Sequence, residues 1–119
     1  MIEGLVGVTI WTDDLERLVA FYRDTLGLKL HHHHGDFVNF VFGNVRLNLG
    51  RHDGVKGPTK DPYRTMVHLG VSDIQQEHRR LRDLGVEFIR QPEHEEWGGW
   101  VATLLDPDGN ILQLLQGAT

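Results

Sequence analysis

The sequence predicts an α+β fold: two βαβββ modules that form a curved mixed sheet around a cleft, with the helices outside. Three observations carry this. The chain nearly repeats itself, because Val6-Gly7-Val8-Thr9-Ile10-Trp11-Thr12-Asp13-Asp14-Leu15 and Met66-Val67-His68-Leu69-Gly70-Val71-Ser72-Asp73-Ile74 both read as a strand that ends in an acidic residue and runs into helical spacing. Both helical stretches close at a glycine between aliphatics, Leu26-Gly27-Leu28 and Leu84-Gly85-Val86. At 119 residues the chain is one domain's worth of protein, so two half-units must share their burial. Residues 1–119 therefore read as a single domain, with module 1 at about 4–50, a linker at about 51–64 and module 2 at about 65–116.

Each element follows from its residues. Val6 to Thr12 is an extended run of strand formers, and Asp13-Asp14 offer N-cap oxygens. Leu15, Leu18, Val19, Tyr22 and Leu26 recur at helical spacing up to Gly27. Strands are expected at 29–34, 37–42 and 45–49, the last two joined by Gly43-Asn44, whose residues tolerate positive φ. Glycines, Pro58 and Pro62 without periodicity mark the linker. The second module repeats the order: strand 66–71, helix from about 73 to 84, strand 86–90, a loop through Pro92 and Gly98-Gly99, strand 100–105, a turn at Asp106-Pro107-Asp108-Gly109-Asn110, and strand 111–115.

Bulk properties narrow the partners. A formal charge of −5 argues against nucleic acid, which demands clustered Lys and Arg, and favours neutral or cationic small ligands. With no cysteine, thiolate chemistry and Cys-ligated zinc are excluded, leaving His, Asp and Glu as metal donors. No apolar run approaches the ~20 residues that span a membrane. The N-terminus lacks a basic region followed by an apolar stretch, so a cytoplasmic location with no membrane partner is the expectation.

Asp14-Leu15, Phe21-Tyr22 and Leu26-Gly27-Leu28, taken with Asp106-Pro107-Asp108-Gly109-Asn110, resemble the vicinal oxygen chelate superfamily. That superfamily holds glyoxalase I, bleomycin-resistance proteins, fosfomycin-resistance enzymes and extradiol dioxygenases. The resemblance covers essentially the whole chain and is specific to a fold rather than to an activity. It implies a divalent metal held by side chains from the first and last strands of each module. Carried over residue by residue, the histidine positions fall on Gly7 and Met66, and the glutamate positions on Asn48 and Gln113. Glycine has no donor, a thioether is soft and carboxamides bring no charge, so the usual metal site reads as dismantled. His68 lies two residues beyond Met66, on the same strand face, and is the candidate ligand or general base.

Other candidates are weighed against plainer readings. Trp11, Trp97 and Trp100 are stacking surfaces for a flat or cationic ligand, or else core or interface packing. Arg46, Asn48, His68 and Gln113 form a polar set that can hydrogen-bond a carboxylate, carbonyl or amide without metal, although for Arg46 a solvated edge serves equally. The run His31-His32-His33-His34 reads as adventitious chelation more readily than as a metal centre. Glu93, His94, Glu95 and Glu96 read as a surface loop, and Glu77, His78, Arg79, Arg80 and Arg82 as a solvated helix face.

The resemblance and these residues together lead to a homodimeric small-molecule binding protein of the bleomycin-resistance type. It would hold an organic ligand, cationic or aromatic, in a cleft without metal or other cofactor, and sequestration would confer antibiotic resistance. The ligand-binding set is Trp11, Arg46, Asn48, Met66, His68, Trp97, Trp100 and Gln113. The alternative is a lyase, isomerase or dioxygenase that uses a divalent metal on displaced ligands, or a metal-free isomerase using His68. A structural dimer with a closed groove is the third reading.

Overall fold

A computed structural model describes residues 1–118, which divide into two compact units, residues 1–57 and 58–118. In the first, β1 (Gly7–Thr12) leads to α1 (Leu15–Ala20), a π-helical turn (Phe21–Thr25), then β2 (Leu30–His34), β3 (Phe37–Phe42) and β4 (Val45–Arg51). The sheet order is β1-β4-β3-β2, with β1 and β4 parallel and the other pairs antiparallel.

The Asp14 carboxylate caps α1 by accepting from the Arg17 N–H at 3.2 Å, while the buried Thr12 hydroxyl accepts from the Asp14 N–H at 3.0 Å. Leu18, Val19, Tyr22 and Leu26 bury one stripe of this segment. Val38, Phe40, Leu47 and Leu49 form the apolar face of the sheet, and the Tyr22 and Phe40 rings stack with centroids 6.5 Å apart. The spacing predicts one α-helix as far as Leu26. Instead the Leu26 N–H bonds to the Phe21 carbonyl at 2.8 Å, a wider i→i+5 closure. Tyr22 and Leu26 stay buried through that turn, so packing overrides the regular helical period.

The second unit repeats the plan. A 3₁₀ turn at Pro62–Arg64 in the linker precedes β5 (Val67–Gly70), α2 (Ile74–Asp83), β6 (Phe88–His94), β7 (Trp100–Leu105) and β8 (Ile111–Gln116), ordered β5-β8-β7-β6. Asp73 caps α2 through the Gln76 N–H at 3.1 Å, as Asp14 caps α1. Both helical segments end at a glycine with positive φ, 81° at Gly27 and 88° at Gly85, a conformation that disfavours any side chain. The Asp106 carboxylate accepts from the Asp108 and Asn110 N–H groups at 2.9 and 3.0 Å, and the Asp108 carbonyl accepts the Thr59 N–H at 2.8 Å, which ties the linker to the turn. No helix among the described residues is long and apolar enough to cross a membrane.

Strand β6 does not stop at Arg90 but runs through Pro92 to His94. It is an edge strand whose register shifts between Arg90 and Glu93, so a residue without an N–H costs the ladder little. His78 does not lie on a solvated helix face. It is buried with Ile74 and Leu81, one helical turn from each, and meets the Phe88 ring edge-on at 4.7 Å.

Burial holds the His78 imidazole below its ordinary value, and the nearby Arg82 and Arg79 charges push the same way. The folded state therefore favours the neutral ring. Its contribution to stability is complete above about 6.5, the ordinary value, and is lost as the pH falls through the lowered folded value. Thermal melts taken between about pH 8 and pH 5 should show a loss of stability that is smaller in the His78→Gln variant. Equal slopes for the two proteins would remove His78 from the acid response.

Candidate functional site

In each module the helix covers one sheet face, and period-two alternation sends the remaining side chains to the other. In module 1 the strand register sets that open face in three rows. Gly7, Arg46 and Val41 form one, Thr9, Asn48, Asn39 and His32 the next, and Trp11, Gly50, Phe37 and His34 the third. The Asn48 amide donates to the Thr9 hydroxyl at 3.2 Å. The Asn39 Oδ1 is buried without a hydrogen-bond partner. Beyond it, on β2, the His32 and His34 rings lie nearly parallel, 9° between planes and 6.1 Å between centroids.

Trp11 lies across Gly50. A Cβ at Gly50 would sit 2.5 Å from the indole and 3.1 Å from Phe37. Phe37 and His52 flank the indole with centroids at 6.1 and 5.4 Å, yet 44% of Trp11 stays exposed. The result is an aromatic corner with an open surface.

In module 2 the corresponding row runs His68, Gln113, Thr103, Arg90. Gln113, one methylene longer than Asn48, donates to the Met66 sulfur at 3.0 Å. His68 is exposed beside it, whereas Thr103 is buried. Arg90 is gripped by Glu95 and by Glu93, the latter at 3.2 Å, and these hydrogen bonds raise its guanidinium above the usual value. Glu93 and Glu95, assigned to a surface loop by sequence, thus clasp an arginine on this face.

The tryptophans separate. Trp97 sits in the β6–β7 turn, 56% exposed, with its ring over Gly99. Trp100 pairs with Gln116 and alternates with Thr103's face, so it stands on the helix-bearing side, where its ring meets His94 at 5.2 Å. Sequence reasoning passed over Thr9, Phe37, Asn39, His52, Thr103 and Arg90. The two-residue turn Gly43-Asn44 already implies that Asn39 opposes Asn48, so that neighbour was readable; Arg90 was hidden by the bulges in β6.

The residues present do not fit a resident metal. Position 7 offers only backbone, and a Cβ there would lie 2.9 Å from the Arg46 carbonyl oxygen, too close for any side chain without a strand shift. The amides of Asn48 and Gln113 are turned toward Thr9 and Met66 as donors. Among the described residues no group of three or more His, Asp or Glu is placed to hold an ion.

Comparison with known proteins places these observations in a family. Residues 4–114 match the family model described as the Glyoxalase/Bleomycin resistance protein/Dioxygenase superfamily. A bleomycin resistance protein of Klebsiella pneumoniae is 29% identical over 112 residues, 87% of this chain and 84% of that protein. Among solved structures, a glyoxalase/bleomycin resistance protein/dioxygenase from Nocardioides is similar with a TM-score of 0.76 and 26% identity, covering 98% of this chain and 84% of the other. Lactoylglutathione lyase from Agrobacterium tumefaciens shares the fold, with a TM-score of 0.77, 20% identity and coverage of 98% and 96%.

The contact between Trp11 and Gly50 is testable. In a Trp97→Phe, Trp100→Phe background, Gly50→Ala should displace the indole, shift its emission to the red and cost about 1–3 kcal/mol of stability, the usual penalty for overpacking. Unchanged emission and stability would mean that the ring does not rest on the glycine.

Proposed function

Because the chain belongs to the Glyoxalase/Bleomycin resistance protein/Dioxygenase superfamily, we propose that it binds a small organic molecule on the open sheet faces of its modules, without a metal ion. The observation that carries this reading is the character of four positions. Gly7, Asn48, Met66 and Gln113 stand where the resemblance calls for chelating groups, and both amides are engaged with neighbours. The same face of module 1 presents an exposed indole.

An organic guest has what it needs there. A flat ring laid on Trp11 removes apolar area from water at about 25 cal/mol per Å² and gains from offset stacking. Amide and hydroxyl groups at Asn48 and Thr9 orient its polar atoms. Retention of the ligand is sufficient for function, so the protein acts by sequestration, as a cytoplasmic homodimer, and confers resistance to the compound it holds. The similarity to a protein named for bleomycin resistance makes a glycopeptide of that type the first compound to try.

Titration calorimetry of the purified dimer against a bleomycin-type glycopeptide and a panel of flat aromatic compounds should reveal a ligand, and Trp11→Ala should weaken it about tenfold, the loss of one stacking anchor. Expression in a sensitive host should protect it. A stoichiometric divalent ion that survives dialysis and is lost in His68→Ala would overturn the reading in favour of a metal enzyme, and so would the absence of any ligand.

A further inference from the structure

We infer that the open face of module 1 selects planar ligands that carry an anionic oxygen group, and that Arg46 is the residue that recognises it. The inference rests on the small-molecule reading and specifies the ligand's chemistry.

The first ground is the pairing of the arginines. In module 1, Arg17, Arg23 and Arg51 each meet a carboxylate: Asp14 at 3.8 Å, Asp24 at 2.8 Å, and Asp36 and Asp53 at 3.4 and 3.2 Å. Arg46 meets none among the described residues. Its neighbours in the row are Gly7, which has no side chain, and Val41, which is apolar and 38% exposed. Nothing in the row competes with a ligand for the guanidinium.

The second ground is the composition of the face. Its three rows hold Arg46, His32 and His34 and not a single aspartate or glutamate, although the whole chain carries a formal charge of −5. Charges elsewhere on the surface are screened over about 8 Å at physiological ionic strength, so the local sign governs a ligand already seated on the sheet. Module 2 differs, because Arg90 on its corresponding row is already neutralised by Glu93 and Glu95.

The third ground is the order of the rows. The aromatic corner at Trp11 and Phe37 comes first, Asn48 next and Arg46 last. Asn48 spends one amide N–H on Thr9, and its second N–H remains as a donor. From Gly50 to Arg46 the strand covers about 13 Å at its usual rise, which a fused ring that carries the anionic group at its edge and an extended arginine bridge between them. Such a ligand stacks its ring on the indole, offers an oxygen to Asn48 and sets a carboxylate-like group against the guanidinium, the planar donor best matched to it.

Three probes of one shape separate the possibilities: 2-naphthoate, 2-naphthamide and 2-naphthylmethylammonium, titrated calorimetrically into the full chain. Naphthoate should bind about tenfold more tightly than naphthamide, the yield of one charge-assisted contact, with the ammonium compound weakest. The preference should shrink as salt is added. Arg46→Gln should bring naphthoate within about twofold of naphthamide, and Arg46→Lys should keep part of the preference. Equal binding of the three probes, a lead for the ammonium compound, or a preference that survives Arg46→Gln would overturn this inference alone. Failure of all three to bind would count against the small-molecule reading as well.

Discussion

The parallel pairing of the first and last strands in each module is the constraint on which the other features depend. It sets Thr9 opposite Asn48 and His68 opposite Gln113, and with them the face to which every side chain of those four strands points. Strand geometry leaves no freedom after that: a shift of one residue would turn the apolar set outward and the polar set into the helix. The cost of such a slip is the burial of Leu47, Leu49, Leu112 and Leu114, each worth roughly 1.5–3 kcal/mol, and that cost holds the register.

Within this frame the modules have diverged at the same positions. Asn48 is short and finds the hydroxyl of its row neighbour, whereas Gln113 is longer and reaches the Met66 sulfur. A glycine at position 7 lets β4 come within 2.9 Å of where a Cβ would be, and a glycine at position 50 lets the indole approach to 2.5 Å from where a Cβ would be. Module 1 thus presents rings, amides and an arginine that meets no carboxylate among the described residues. Module 2 presents an exposed histidine and an arginine already gripped by two glutamates. One supersecondary plan carries two different surfaces because side-chain length and the placing of glycine decide what each backbone position can reach.

Much of the fold was legible. The two caps at Asp14 and Asp73, the closing glycines and the hairpin expected at 37–42 and 45–49 follow from local chemistry, and local chemistry is what a sequence displays most directly. Less legible were features in which distant packing wins. The π turn after Ala20 keeps Tyr22 and Leu26 buried at the expense of the regular period, and the continuation of β6 through Pro92 depends on its place at the sheet edge. His78 looked solvated among charged neighbours, yet its place one turn from Ile74 and Leu81 puts it in the core.

The sequence by itself determined the repeat, the fold class and the identity of the groups at positions 7, 48, 66 and 113, because spacing and residue type are local quantities. It also established family membership across residues 4–114. Only the tertiary structure decided what those groups touch: that Asn48 and Gln113 are donors to neighbours, that Trp11 rests on Gly50 while Trp100 stands on the opposite side from Gln113, and that Arg46, among the described residues, has no carboxylate beside it. Cross-strand register and side-chain reach settle such contacts, and both arise from the packing of residues far apart along the chain.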